Sequence, residues 1–367
     1  MKISSIVLKN FRNYEQALIA PCPGVTVLVG DNAQGKTNVL EAVYLCCTGR
    51  SHRTAHDREM IRAGQDNCYV KVSGVRRDGP HDVEVAFALA GKRRVKVNGS
   101  VTAKSGELLG HITGVLFAPE DLHMIKDGPQ ARRRFIDMEL SQLKPAYYYA
   151  LQRYNRALRQ RNALLKDISL ASASADTLDV WDAELAQSGA EIMRERAQFV
   201  EELCKSASRI HSEVTGGKEE LSVAYEPDAP LGQSLEECQN ELAAALLDRR
   251  QADIRRMLTS AGPHRDDMGV YVDGMDARAF GSQGQVRTCA LSLKLSEVDI
   301  MKSLMGDAPV LMLDDVMSEL DPERRRLLVS HLNDVQTLIT CTDKNDLAGA
   351  QVGKLLHVRA ATITEEA

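Results

Sequence analysis

The chain has 367 residues, a length that predicts about two domains or one large domain with an insertion. Hydrophobic residues make up 44% and charged residues 26%, as in ordinary globular proteins, which excludes disorder, a collagen-like structure or a coiled-coil rod for the whole chain. The net charge of -5 argues against a protein that coats nucleic acid with its whole surface, so any such binding must use local basic patches.

Targeting signals and cysteine usage indicate the compartment. No apolar run approaches the roughly 20 residues of a membrane span, and the first residues lead into a strand pattern without a signal-peptide core. The eight cysteines form no CxxC pair and no cluster with zinc spacing, and most lie in apolar stretches, which favours reduced, buried thiols. We therefore expect a cytoplasmic protein.

The N-terminal part of the chain is predicted to be mostly strand. Residues 3–8 and 24–29 have strand patterns, and the second strand leads through a glycine-rich loop into a helix over residues 37–47. Antiparallel strands are predicted at residues 69–72, 83–87 and 94–97, with turns at 78–80 and 98–99.

The middle of the chain is predicted to be helical. Helical spacing of apolar residues predicts a helix over residues 131–166, a small-residue stretch at 169–175 interrupts it, and a second helix follows over 178–214. Gly216 and Gly217 end the second helix. Two long helices joined by a short polar loop predict an antiparallel helical hairpin.

The C-terminal part alternates between strand and helix patterns. The run at residues 310–313 is entirely apolar, which is typical of a strand that is covered on both faces in a parallel sheet. Strands are predicted at 221–225, 268–272, 310–313 and 337–340, and helices at 235–258, at 284–304 and from Pro322 onwards.

A complete phosphate-loop pattern, GxxxxGK[ST], lies between a predicted strand and a predicted helix. Glycines allow backbone N–H groups to close around phosphate oxygens, and the helix N-terminus adds a favourable field. Lys36 would place its charge against the β- and γ-phosphates as a catalytic residue, and the Thr37 hydroxyl would ligate Mg²⁺. The predicted nucleotide-binding residues of the loop are Gly30, Asp31, Asn32, Ala33, Gln34, Gly35, Lys36 and Thr37.

Two carboxylates follow the apolar strand at 310–313. Asp314 would hold Mg²⁺ directly or through water, and Asp315 would orient or deprotonate the attacking water as a catalytic residue. Paired acids at a strand end also occur as helix N-caps, but the complete phosphate loop favours the metal-binding interpretation.

A small polar loop opens the helix that precedes the acidic strand. Its residues Ser282, Gly284 and Gln285 resemble the signature motif of ABC-type ATPases, whereas Gly281 and Gln283 depart from it. The sequence at 318–321 resembles the D-loop of the same superfamily. In such enzymes the signature of one protomer closes on the ATP held by the other, so the resemblance implies an ATP-dependent homodimer.

Further segments narrow the resemblance. Residues 8–14 resemble the opening of SMC-like ATPases that act on DNA. Three further segments resemble the RecF family of bacterial recombination mediators; they are residues 49–53, 117–122 and 262–267. The Ser-Gln-Gly-Gln form of the signature and the Leu-Asp-Asp form of the acidic strand are also forms found in that family. The resemblance extends from Ile3 to about Asp343, nearly the whole chain.

The resemblance implies an α/β fold: an ABC-type ATPase head, with a P-loop core and an antiparallel strand subdomain, plus an inserted α-helical lobe. We expect the N-terminal part of the ATPase lobe at residues 1–130, the helical lobe at 131–258, and the C-terminal part of the ATPase lobe at 259–367.

The resemblance also implies roles for individual residues. ATP and Mg²⁺ would bind at the phosphate loop, with Thr37 and Asp314 on the metal. Arg12 would approach the phosphates or the adenine. The signature residues Ser282, Gly284 and Gln285 would act on the partner's nucleotide.

The implied function is an ATP-driven homodimer that clamps duplex DNA, or duplex/single-strand junctions, at gaps. Slow, DNA-stimulated ATP hydrolysis would release it. The resemblance also implies that the protein works with RecR and RecO to load RecA, in replication, gap repair and the SOS response. A cytoplasmic, nucleoid-associated location is implied as well. Two alternatives stay open: the energy subunit of an ABC transporter, and a non-hydrolysing clamp that nucleotide only stabilises.

Several positions depart from the superfamily or have open roles. Thr342 stands where a switch histidine would fall, and residues 119–121 occupy the region of the lobe-linking glutamine; both changes suggest slow turnover. The segment 264–267 is interpreted as a structural or interprotomer network, because metal-ligand spacing is absent. His52 and Arg53 are candidates for sensing the nucleotide.

Basic runs are the candidate DNA contacts. Each alone is typical of a solvated face, but together they leave room for a face that binds DNA phosphates without reading sequence. The low aromatic content of 4% argues against stacking on single strands, so duplex DNA is favoured. The runs lie within residues 92–96, 132–134, 153–161, 249–256 and 324–326.

Overall fold

The computed structural model describes residues 1–332, 335–343 and 351–366, with the backbone alone at Leu122 and His123. Its strands are β1 (Lys2–Phe11), β2 (Tyr14–Ile19), β3 (Val25–Val29), β4 (Asn67–Arg76), β5 (Gly79–Ala88), β6 (Arg94–Val97), β7 (Ser100–Val101), β8 (Gly114–Phe117), β9 (Leu221–Glu226), β10 (Asp267–Val272), β11 (Met275–Asp276), β12 (Val310–Asp314), β13 (Thr337–Cys341), β14 (Val352–Arg359) and β15 (Thr362–Glu365). Its α-helices are α1 (Lys36–Thr48), α2 (Pro129–Leu143), α3 (Pro145–Ser169), α4 (Leu178–Thr215), α5 (Leu235–Arg256), α6 (Gln283–Met305) and α7 (Pro322–Ser330).

Two compact units are built from segments that alternate along the chain. The first unit comprises residues 1–123, 209–219 and 283–367, and the second comprises 124–208 and 220–282. The expected division at residues 130 and 258 likewise has a lobe inserted between two parts of an ATPase lobe; the second unit differs from it by extending to residue 282 and by the exclusion of residues 209–219. The segment before α6 belongs to the second unit because β10 pairs along its whole length with β9.

The first unit contains a sheet in which the strand order is β15-β14-β3-β13-β12-β8. All neighbouring pairs from β14 to β8 are parallel, and β15 is antiparallel to β14. Every residue of β3, β12 and β13 is buried, which confirms the interpretation of the apolar run at 310–313. Because the carboxyl ends of parallel strands meet at one edge, the loops after β3, β13 and β12 lie side by side, where such sheets bind ligands.

The first unit also contains an antiparallel sheet of order β2-β1-β4-β5-β6-β7. Burial alternates along β4 and β5, so that Val70 lies opposite Val85 and Val72 opposite Val83 on the buried face. Helix α1 packs against β4 and β5 of this sheet and against β8 and β12 of the parallel sheet. The phosphate-loop helix is therefore fixed on both sides.

The second unit combines helices α2, α3, α5 and the first part of α4 with the antiparallel sheet β11-β10-β9. The lobe that is expected to be helical thus carries a small sheet as well. Arg161 on α3 is completely buried and donates hydrogen bonds to Asp182 on α4 at 2.5 Å and to Asp253 on α5 at 2.7 Å. A buried charge needs such partners, and this one joins three helices.

Most predicted elements are confirmed, with one break that the sequence analysis does not foresee. The helix predicted over residues 131–166 is two helices, because Lys144 is extended (φ -134°, ψ 93°) and Pro145 opens α3. Proline has no N–H to continue a helix and disfavours helical geometry in the preceding residue. The strands additional to those predicted are β2, β7, β8, β11, β14 and β15.

Two other expectations concern the cysteines and the membrane. All eight cysteines are thiols and six of them are buried, as predicted. Among the described residues, no helix is both long enough and apolar enough to span a membrane.

Candidate nucleotide site

The phosphate loop connects β3 to α1 at the carboxyl edge of the parallel sheet. Gly30 lies so close to β14 that an added Cβ would be 2.3 Å from the carbonyl oxygen of Val358. Gly35 has a φ of +117°, which side chains of L-residues rarely permit. The local backbone therefore requires glycine at both fixed glycine positions of the pattern.

Helix α1 begins without a capping side chain. Its N-cap is Gly35, none of the described side chains caps it, and its first turn contains no acidic residue. The first N–H groups of any helix have no partner inside it, and the helix N-terminus carries a partial positive charge. An uncapped start without carboxylates fits a phosphate group.

The Lys36 side chain folds back into the loop. Its Nζ donates hydrogen bonds to the carbonyl oxygens of Gly30 at 2.6 Å and Asp31 at 3.0 Å. Only 3% of the residue is exposed, so the ammonium is fixed within the loop.

The outer part of the loop is held by its neighbours. Asn13 Nδ2 donates to the Gln34 carbonyl oxygen at 3.1 Å, and Ala360 N donates to Gln34 Oε1 at 2.6 Å. Tyr14 is buried, and its hydroxyl donates to the Gly35 carbonyl oxygen at 3.2 Å. The remaining predicted loop residues, Asp31, Asn32 and Ala33, are exposed.

The two predicted metal ligands lie together. The Thr37 hydroxyl donates to Asp314 Oδ1 at 2.8 Å, and the Thr340 hydroxyl donates to the same oxygen at 2.8 Å. Burial raises the pKa of the Asp314 carboxyl, and the hydrogen bonds from the two hydroxyls partly offset this rise. A hydroxyl and a carboxylate oxygen at this separation are hard ligands that suit Mg²⁺.

Asp315 adopts an unusual backbone conformation directly beside this pair. Its φ of 52° is left-handed, its N–H donates to Thr340 Oγ1 at 2.9 Å, and its carbonyl accepts from Ser318 Oγ at 2.8 Å. Such conformations cost about 1–3 kcal/mol and persist where the surroundings fix them, often at active sites. In the part of the chain that the structure describes, no donor is hydrogen-bonded to the Asp315 carboxylate, so it is free to act on a ligand.

Arg12 lies on the flank of α1. Its guanidinium donates two hydrogen bonds to Glu41, at 2.8 and 2.6 Å, and a third to the Glu59 carbonyl oxygen at 2.7 Å. Burial raises the pKa of Glu41, but hydrogen bonds from Arg12 and Ser51 outweigh it and the pKa lies below its usual value. The structure thus assigns Arg12 a local ion pair, and its approach to ATP stays a prediction.

His52 lies near the same cluster. Its ring is edge-on to Tyr44 with centroids 5.5 Å apart, and its Nδ1 is buried without a hydrogen-bond partner among the described residues. Burial lowers the pKa of His52, whereas the charges of Glu41 and Asp314 raise it in part. The charge of Asp314 therefore influences the imidazole, and the role of His52 as a nucleotide sensor stays a prediction.

The signature residues lie where the loop enters α6. Ser282 is exposed, and Gly281 before it approaches the backbone so closely that a Cβ would be 2.5 Å from the Ala277 oxygen. The Gly284 carbonyl accepts from Arg324 Nη2 at 2.9 Å, and Gln285 Nε2 donates to Glu219 Oε1 at 3.2 Å.

The segment 264–267 is a structural network in the second unit. Asp266 is buried and accepts a hydrogen bond from Arg196 at 3.2 Å, and Asp267 accepts two from Arg132 at 2.7 Å each. Among the described residues, no group of three or more His, Cys, Asp and Glu side chains could hold a metal ion. The contacts favour the structural interpretation.

Several arginines of the basic runs are internal and do not form a solvated face. Arg132 and Arg161 are buried in ion pairs, Arg250 pairs with Asp182, and Arg324 contacts α6. Periodicity alone does not reveal the carboxylate partners of Arg132, Arg161 and Arg250, which lie on other elements of the fold. The members that stay exposed are Lys92, Arg94, Lys96, Arg134, Arg153, Arg156, Arg159, Arg255, Arg256 and Arg326.

Some residues that support the site were not predicted from the sequence. Thr340 links Asp314 to the Asp315 backbone, and Glu41 holds Arg12 and Ser51. The only signal for Thr340 is a hydroxyl near the carboxyl end of a largely apolar strand, beside the strand that ends in Asp314. Thr342, the expected substitute for the switch histidine, is exposed just after β13.

The chain is similar to known proteins over nearly its whole length. The sequence pattern of the RecF/RecN/SMC N terminal domain matches residues 2–364. The DNA replication and repair protein RecF of Acetivibrio thermocellus is 43% identical over 361 residues, which cover 98% of each chain. The same-named protein of Agathobacter rectalis is 45% identical over 360 residues, covering 98% of this chain and 97% of its own.

Solved structures show the same relationship. The structure of the recombination mediator protein RecF-ATP in the RecFOR pathway matches with a TM-score of 0.93 and 34% identity, over 100% of this chain and 98% of the other. The Smc head bound to the C-winged helix domain of ScpA, 15% identical over 100% of this chain and 97% of its own, has a TM-score of 0.58 and shares the fold alone. The chain therefore has the fold of an ABC-type ATPase head with an inserted lobe, and it belongs to the RecF family of SMC-like ATPases.

Proposed function

We propose that this protein is an ATP-dependent, DNA-binding recombination mediator. The observation that carries the proposal is the hydrogen bond from Thr37 to Asp314, because it joins a phosphate loop to a metal-binding carboxylate from another strand. The similarity to a solved structure named RecF-ATP supports ATP as the nucleotide.

The chain's own residues suit a magnesium nucleotide. The backbone N–H groups of the loop and the Lys36 ammonium would bind the β- and γ-phosphates, and Thr37 and Asp314 would hold the cation. When bound, Mg²⁺ would neutralise charge on the phosphate oxygens. Asp315 would orient or deprotonate the attacking water, with Thr340 fixing its backbone.

We further propose that ATP joins two copies of the chain. Ser282, Gly284 and Gln285 of each protomer would complete the nucleotide site of the other. Hydrolysis would be slow and stimulated by DNA, and it would release the closed dimer.

DNA binding is proposed to use the exposed arginines. Arg156 and Arg159 on α3 and Arg255 and Arg256 at the end of α5 belong to the second unit, are exposed, and have no ion-pair partner within the described residues. Such side chains bind backbone phosphates of a duplex without reading its sequence. The proposed setting is gap repair, replication and the SOS response in the cytoplasm and nucleoid, with RecR and RecO as partners in loading RecA.

A binding assay with three nucleotide states tests this function. Fluorescently labelled duplex, single-stranded and gapped DNA would be titrated with protein in ATP, in ADP and without nucleotide, while phosphate release is followed in parallel. The proposal expects the tightest binding with ATP on DNA that contains duplex, and phosphate release that rises when duplex is added. ATP-dependent DNA binding without phosphate release would support a non-hydrolysing clamp. Absence of DNA binding in all three states would contradict the proposal and leave the transporter-subunit alternative.

A further inference from the structure

One face of α6 contacts the segment 209–219, which comprises the end of α4 and the turn after it. Glu219 Oε1 accepts from Gln285 Nε2 at 3.2 Å, and the buried His211 Nδ1 lies 3.4 Å from Ser292 Oγ. Arg209 pairs with Asp299 at 2.5 Å. The three positions on α6 are spaced by seven residues, two turns each, so they lie on one face of the helix. The contact at Gln285 is the one that reaches the signature motif.

The same first turn of α6 is held by α7, which follows the D-loop. Arg324 donates from Nη2 to the Gly284 carbonyl oxygen at 2.9 Å and from Nε to Thr288 Oγ1 at 2.8 Å. Arg324 also forms an ion pair with Asp321, whose side chain caps α7 by accepting from the N–H groups of Glu323 and Arg324. One guanidinium thus joins the D-loop to the signature motif.

The contacts of Arg324 fix the geometry of the groups that accept its hydrogen bonds. Arginine presents a rigid, planar set of donors, so several simultaneous hydrogen bonds fix the relative position of their acceptors. Arg324 is half-buried; burial lowers its pKa, and the neighbouring Glu219 carboxylate raises it in part. Glu219 and Arg324 thus contact consecutive residues of α6, Gln285 and Gly284.

We infer that Glu219 and Arg324 are positioning residues that fix Gly284 and Gln285 for contact with the partner's nucleotide. Neither residue touches the phosphate loop of its own site through the contacts described. Through them the signature motif is connected to the D-loop and to the end of α4. The inference rests on the proposed ATP-dependent homodimer for its functional part, and on contacts within one chain for its structural part.

Two alanine variants with matched controls test the inference. Arg324→Ala is compared with Arg326→Ala, an exposed arginine on the same helix that donates to the Pro322 carbonyl oxygen. Glu219→Ala is compared with Glu220→Ala, the adjacent exposed glutamate. Each protein is examined by hydrogen–deuterium exchange without nucleotide, by nucleotide titration of the monomer, by thermal unfolding, and by sedimentation with ATP.

Arg324→Ala and Glu219→Ala should increase amide exchange in residues 284–288 at least several-fold, with exchange in residues 30–48 unchanged. Monomer affinity for ATP should stay within about twofold of the wild type, whereas ATP-dependent dimerisation should weaken about tenfold or more. Arg324→Lys should restore only part of the dimerisation, because an ammonium cannot reproduce the planar pair of bonds to Gly284 and Thr288. Both controls should match the wild type.

The outcomes separate the inference from the function on which it rests. Unchanged exchange at 284–288 in both variants would overturn the structural part, whatever the dimer does. Increased exchange with normal dimerisation would overturn the positioning role. If the wild type itself fails to dimerise with ATP, the proposed function fails and the positioning role with it, while the exchange data still decide whether Glu219 and Arg324 hold α6. Lower stability or ATP affinity in proportion to the loss of dimer would show a general folding defect and would also overturn the positioning role.

Discussion

The Thr37 hydroxyl lies 2.8 Å from Asp314 Oδ1, although the two residues are 277 positions apart in the sequence. Thr340, from the strand between β3 and β12, donates to the same oxygen and accepts from the Asp315 backbone. Three neighbouring strand ends therefore define one site, in which the loop residue, the proposed metal ligand Asp314 and the proposed water-orienting residue Asp315 are positioned together.

Replacing Lys36 tests the phosphate contact. Lys36→Ala should weaken ATP binding roughly 10- to 150-fold, since a hydrogen bond to a charged group contributes about 1.5–3 kcal/mol. A nucleotide titration by fluorescence or calorimetry measures the effect, with thermal unfolding as the control for folding. Affinity equal to that of the wild type would refute the assignment of the loop.

Replacing Asp315 tests the hydrolytic step. Asn tolerates the left-handed backbone nearly as well as Asp, so Asp315→Asn should keep the fold while removing the negative charge that is proposed to act on water. ATP binding should be retained, phosphate release should fall by about 10²-fold or more, as expected for loss of a general base, and the closed dimer should accumulate and hold DNA longer. Phosphate release at the wild-type rate would exclude Asp315 from the reaction.

Replacing the buried Arg161 should lower the free energy of unfolding. Arg161→Ala leaves the carboxylates of Asp182 and Asp253 without this partner, and breaking a buried pair costs about 3–5 kcal/mol. The exposed Arg159 on the same helix is the control, and Arg159→Ala should change stability by less than about 0.5 kcal/mol. Urea unfolding of the two variants compares these effects; equal stabilities would show that the internal ion pairs contribute little.

DNA binding should depend on salt and on a few arginines. The logarithm of the affinity for duplex DNA should fall linearly with the logarithm of the salt concentration, by about 0.9 per phosphate contact. Replacing Arg156, Arg159, Arg255 and Arg256 with Ala should weaken binding and reduce the slope, without a change in ATP affinity. Lys205→Ala is a control because Lys205 already pairs with Glu201 and Glu202. A flat salt response, or a strong preference among duplex sequences, would argue against backbone contacts.

The local parts of the site could be predicted from sequence. The loop from Gly30 to Thr37 is specified by its own glycines, and Asp314 follows an apolar run that only a buried strand explains. Contacts between distant segments could not be predicted in this way. Nothing local to Glu219 indicates that it meets Gln285, and Thr340 gains its role only because β13 lies between β3 and β12.

The differences between the predicted and the observed fold also arise from local features or distant contacts that apolar periodicity does not show. Pro145 interrupts a helix whose apolar spacing continues on both sides, so periodicity alone merged α2 and α3. Arg132 and Arg161 resemble solvated charges in sequence because their carboxylate partners lie elsewhere in the chain. The edge strands β8 and β15 are four residues each, too short to give a clear alternation.

Ser282 offers the most direct test of the ATP-dependent dimer. Ser282→Arg replaces a small hydrogen-bonding group with a bulky cation at the proposed contact with the partner, while Lys36, Thr37 and Asp314 are unchanged. The measurement is sedimentation of the wild type and the variant with ATP and with ADP, beside a nucleotide titration of each monomer. We expect the wild type to dimerise with ATP but not with ADP, and the variant to bind ATP as a monomer with near-normal affinity without dimerising. A variant that still dimerises with ATP, or that loses ATP binding as a monomer, would contradict the assignment of the signature motif and the ATP-dependent clamp with it.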